Sequence, residues 1–141
     1  MSGADFVLVG LLAVPAAAAG VLALLPNYRL TARLNMGAAF ATLLLALSLT
    51  VARPAPGLYM LVDDLNIALI VLTTFVGFTT SAFSASYIAH ELEIGRLTPT
   101  YLRFYHAMYQ TLMFAMNLAL LANNIGLMWV AIELATLTTV L

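Results

Sequence analysis

Cysteine and lysine are both absent from the 141 residues, and only 8% of the chain is charged. An ordinary soluble domain carries about 25% charged residues, so the solvent this chain meets is lipid. The missing cysteines exclude disulfides, thiolate zinc sites, iron-sulfur ligation and cysteine nucleophiles together. Five arginines against six acids give a net charge of -1, which leaves no basic surface for a nucleic-acid backbone. Nucleic acid is therefore excluded as a partner. No cofactor is expected in this chain, and any redox centre of an assembly belongs to another subunit unless the two histidines hold one.

What is abundant is apolar: 64% of the residues are hydrophobic. The charges fall in short clusters between stretches long enough to cross about 30 Å of hydrocarbon at 1.5 Å per residue. The spacing predicts an all-α integral membrane bundle of about five transmembrane helices over residues 6–25, 34–51, 65–89, 99–122 and 125–141. Val14, Pro15 and Ala16 to Ala18 would suit a signal-peptide cleavage site. The preceding flank has no basic residue and the apolar run continues to Leu25, so a retained helix with a kink at Pro15 is the expectation. Arg29, Arg33, Arg96 and Arg103 lie on one side of the membrane and Arg53 on the other. By the positive-inside rule the N-terminus is then periplasmic, and the loops around residues 29–33 and 91–103 are cytoplasmic.

Local signals sharpen the ends. Asp64 is expected to cap the third helix, Thr98-Pro99 to open the fourth, and Asn123-Asn124 to join the fourth to the fifth within a tight turn. Thr73, Gly77, Ser81, Ala85 and Ala89 recur every four residues as a stripe of small side chains, which reads as a packing face for a neighbouring helix. Tyr101, Arg103, Tyr105, His106 and Tyr109 read as an interfacial anchor.

One acid lies well inside a span. Glu133 is eight residues beyond Ile125, about 12 Å into the membrane. A carboxylate at a helix centre costs about 2.5 to 3.5 kcal/mol, so the group must be neutral, paired or turned to a hydrated path. Trp129 and Thr136 share its face and are expected to frame a polar seam. The competing reading is interhelical glue, a protonated hydrogen-bonding acid with no other role. No lysine exists to neutralise Glu133, and the arginines lie at membrane edges. The chain stops inside the fifth span without a polar flank, which reads as a cut within a longer membrane protein. His90 and His106 raise a haem-anchor alternative, set against an ordinary solvated or hydrogen-bonded histidine at each position.

Asp63-Asp64-Leu65-Asn66 and the run from Met113 to Glu133, above all Asn123-Asn124-Ile125-Gly126-Leu127-Met128-Trp129-Val130-Ala131-Ile132-Glu133, resemble the antiporter-like membrane subunits of respiratory complex I and group 4 membrane-bound [NiFe] hydrogenases. Hydrogenase-4 component F is the form that the second run most resembles. The resemblance spans roughly residues 58–141, and the first two helices match only in being apolar. It implies the N-terminal part of a fold of about fourteen helices with two inverted repeats. Residues 1–98 would supply three leading helices and residues 99–141 the first two helices of a repeat. It further implies a Glu-Lys pair in a proton-translocating half-channel, with Glu133 in the glutamate's place and the lysine on a later helix. The implied function is a non-redox membrane subunit of a hydrogenase or an NADH-quinone oxidoreductase. In a bacterial inner membrane it would couple electron transfer in partner subunits to proton movement. The alternatives are a subunit of a stand-alone cation/proton antiporter and a non-catalytic membrane scaffold.

Overall fold

A computed structural model describes residues 3–140, so Met1, Ser2 and the last expected span residue, Leu141, lie outside the described residues. Five helices follow one another: α1 Gly3–Leu24, α2 Tyr28–Ser48, α3 Asp64–Glu93, α4 Pro99–Leu121 and α5 Ile125–Val140. The first three are long and apolar enough to cross a membrane. α4 is longer than α2, yet it carries Arg103, His106, Gln110 and Asn117, which lower its hydropathy. α5 is apolar but described over 16 residues, about 24 Å of helix at 1.5 Å per residue.

The helix ends differ from the expected spans for identifiable reasons. α2 begins six residues early because Asn27 caps it, its side-chain oxygen accepting from the N–H groups of Arg29 at 3.1 Å and Leu30 at 3.4 Å. Arg29 and Arg33 are therefore on the first turns of a helix and not in a loop. Asp63, not Asp64, caps α3 by accepting from the Asn66 N–H at 2.8 Å. Asp64 is occupied instead by an exposed ion pair to Arg53 at 2.5 Å, of a kind that contributes about 0 to 1 kcal/mol. α3 continues through His90 to Glu93 because its stop signal is Gly95, whose φ of 77° an L side chain rarely adopts. There the Gly95 N–H donates to the Leu92 carbonyl and the Arg96 N–H to the Glu91 carbonyl, the paired closure of a Schellman motif. Thr98 with Pro99 opens α4 as the sequence indicates.

α1 packs on α2 and α4, α2 on α3 and α4, and α3 on α4, which closes the first four helices into a bundle; α5 packs on α4 alone among the described residues. Leu8, Leu11, Ala46, Leu49, Ile67, Ile70 and Leu121 form the apolar core. Across the bundle end, the stretch before α3 is strapped to the α4–α5 turn. Leu61 N–H donates to the Leu121 carbonyl, Asn123 N–H to the Tyr59 carbonyl, and the Asn123 amide to the Gly57 carbonyl at 2.9 Å.

Polarity is inverted relative to a soluble protein. Phe75, Phe83, Leu44, Leu47 and Val76 are exposed, whereas Asn35, His106, Gln110 and Asn117 are buried. Water would reward the opposite arrangement and lipid rewards this one. Buried hydroxyls are satisfied within their own helices, as with Thr42 on the Ala38 carbonyl and Thr74 on the Ile70 carbonyl, both at 2.8 Å. The longer amides reach across helices. Pro15 has no N–H, so the carbonyl of Leu11 one turn earlier lacks its helical donor. Asn117 of α4 supplies one at 3.2 Å, with both residues fully buried.

The stripe of small residues on α3 also meets α4. Gly77 and Ser81 are buried while Thr73, Ala85 and Ala89 are half-buried. The Tyr109 hydroxyl donates to the Gly77 carbonyl. A methyl placed on Gly77 would stand 2.6 Å from the end of Met113, which must then move.

Asn117→Leu is expected to destabilise the bundle by about 1 kcal/mol, the scale of an interhelical hydrogen bond in a membrane. Pro15→Ala should recover most of that loss in the double variant, because an alanine N–H again reaches the Leu11 carbonyl. Equal losses with and without Pro15 in a reversible detergent-unfolding cycle would refute the compensation. Ser81→Phe should disrupt folding more than Leu72→Phe, since Ser81 is buried against its neighbours and Leu72 is exposed; matched recoveries of folded protein would count against the packing role.

Candidate functional site: Glu133 on α5 and the polar face of α4

α5 starts sharply. The Asn124 side-chain oxygen accepts from the N–H groups of Gly126 at 2.8 Å and Leu127 at 3.2 Å. A Cβ on residue 126 would stand 3.1 Å from that same oxygen, so glycine lets the cap close. From this fixed start, about two turns of helix carry Glu133 to the middle of an apolar segment.

Only Ala131 and Thr138 of α5 are buried, and Glu133 lies on the exposed side with Trp129, Ile132 and Leu137. No ion pair or hydrogen bond involves its carboxylate among the described residues. The ion pairs found are Arg53–Asp64 and Arg96–Glu91, both away from α5. The expected polar seam is only half present. Thr136 shares the exposed side, but its hydroxyl donates to the Ile132 carbonyl at 3.0 Å and is committed to its own helix.

The interior polar groups belong to α4, and sequence reading passed over most of them. Gln110 donates to the Asn35 side-chain oxygen at 2.7 Å and to the Asn35 carbonyl at 3.2 Å, tying α4 to α2. His106 was expected at a solvated interface; its side chain is buried at 1% exposure, with both ring nitrogens lacking a partner in the protein. Tyr105 packs edge-on beside it at 5.4 Å between ring centroids. His90 is exposed on α3, so the two histidines sit in different environments. The signal for this face was present in the sequence. His106, Gln110 and Asn117 recur at helical spacing within an otherwise apolar run, and amides in such a run must find partners across helices.

The hydrogenase-4 component F homolog of Methylacidiphilum infernorum (isolate V4) is 55% identical to this chain over 121 residues, 86% of the chain. The likeness to hydrogenase-4 component F is thus shown. The chain spans 25% of that relative's length. No family model matches the chain, and no solved structure matches it. The matched stretch is longer than residues 58–141, so the similarity to component F extends into the helices that precede residue 58, a wider reach than the motifs indicated.

Proposed function

We propose that this chain forms part of a proton-translocating, non-redox membrane subunit of a hydrogenase-type complex, in which partner subunits carry out the electron transfer. The observation that carries the reading is Glu133, an acid midway along an apolar helix, on the side of α5 that the other four helices leave uncovered. An acid so placed in lipid requires either a proton or a positive partner from outside these helices, and a group poised between those states is what proton relay uses. The likeness to the hydrogenase-4 component F homolog supports the choice of complex. Residues 1–98 act as leading helices in this reading, and residues 99–141 open a repeat whose later helices bring a lysine toward Glu133. The membrane is a bacterial inner membrane and the N-terminus is periplasmic.

Orientation is directly testable because the chain has no native cysteine. Ile94→Cys, between the ends of α3 and α4, should resist a membrane-impermeant thiol reagent added outside intact cells, while Gly57→Cys should react. The reverse pattern would invert the assignment.

Glu133→Gln in the full-length subunit should lower proton pumping by the reconstituted complex by about a hundredfold or more while leaving assembly intact, the lower end of what a proton-transfer group contributes. Glutamine keeps the volume and the hydrogen-bonding capacity but cannot ionise. Glu133→Asp should be intermediate. Wild-type pumping per assembled complex in Glu133→Gln would leave the residue a structural one.

A further inference from the structure

At the end of the bundle that carries the first turns of α2 and α4, an open cavity of about 280 Å³ reaches inward between α2, α3 and α4. Tyr28, Arg29 and Arg33 line it from α2, Ser86 from α3, and Leu102 and His106 from α4. Arg29 and Arg33 are exposed, while the His106 side chain is buried. One turn deeper on the same face of α4 is Gln110, whose amide nitrogen is spent on Asn35 while its oxygen has no partner in the protein.

Of the buried polar atoms without a partner, both ring nitrogens of His106 belong to a residue that lines this polar-mouthed cavity. A neutral imidazole offers one donor and one acceptor, and leaving such groups unmet in an apolar interior is costly. A water molecule occupies about 30 Å³ in the liquid, and buried waters settle where two to four polar partners converge. The cavity has both the room and the partners.

We infer that this cavity is a hydrated vestibule in which water completes the hydrogen bonds of His106, making His106 a second proton-exchange site of the chain. A proton passes from hydronium in the vestibule to the free ring nitrogen, leaving water, and returns by the same route. The charged and titratable groups that line the cavity with His106 are Arg29, Arg33 and Tyr28 from α2, Tyr105 of α4 packs on the ring, and α3 contributes none to the cavity. The ring itself is buried, so exchange depends on water reaching it. This site stands apart from Glu133, which is on the exposed side of α5.

The chain's two histidines make the test internal and free of substitutions. Deuterium replaces the imidazole C2 hydrogen only when hydroxide meets the protonated ring, so the rate reports protonation and water access together. With the intact chain in lipid nanodiscs and peptides read by mass spectrometry, exposed His90 is the reference. His106 should exchange within about tenfold of His90, whereas a dry site is protected far more strongly, as buried groups are. Its rate should also follow a sigmoidal pH profile. Exchange more than about tenfold slower than at His90, across the pH range, would mean that His106 is not both reached by water and protonated, and would overturn the proposal.

Discussion

In lipid every backbone carbonyl must find a donor within the protein, and in this bundle that constraint bears hardest on Leu11, the residue that Pro15 deprives of its helical partner. The bond from Asn117 meets it at the α1–α4 interface, where Leu11 and Leu121 belong to the same apolar core. The two residues are far apart in the chain, so a local defect in the first helix is repaired only when the fourth has docked. That repair ties α4 into the leading helices. Because α5 packs on α4 alone among the described residues, the position of Glu133 in turn depends on how α4 is seated.

The same rule explains why α4, although it carries Arg103, His106, Gln110 and Asn117, is among the most enclosed of the helices. Its amides cannot satisfy themselves by bonding back to their own helix as Thr42 and Thr74 do, so they face inward and bind Asn35 and Leu11. Its apolar neighbours complete the close approach to α3, where Gly77 leaves room for Met113 and offers a carbonyl to Tyr109. Small residues on one helix and long, polar-tipped residues on the other are complementary halves of one contact.

Much of this was legible from residue order. Helix number, the Thr98-Pro99 start and the tight Asn123-Asn124 turn depend on local chemistry and emerged where expected. The misplaced features share a physical cause. Asp63 and Asp64 are adjacent acids, and the choice between them turned on Arg53, a contact from across the preceding loop. The start of α2 was displaced because hydropathy marks the lipid-soluble stretch, whereas Asn27 marks the hydrogen-bonded one. His106 was misjudged for a related reason: interfacial tyrosines surround it in sequence, but its own side chain points to the opposite face of the helix from exposed Tyr101. The location of Glu133 within α5 was readable; which side of α5 it occupies required the packing.

Glu133 and His106 present opposite physical problems. His106 is enclosed by this chain, and its unmet hydrogen bonds can be supplied by water from the end of the bundle where Arg29 and Arg33 lie. Glu133 faces away from every helix described, about 12 Å from the start of α5, where water from either membrane surface has no path along an apolar helix face. Hydration therefore resolves the first and cannot resolve the second. A carboxylate on that face is stable only against another protein surface that brings it a donor or a positive charge. On the exposed side of α5, where Trp129, Ile132 and Leu137 flank the acid, the four other helices offer no such group, so in the proposed reading Glu133 either keeps its proton or draws its partner from outside them.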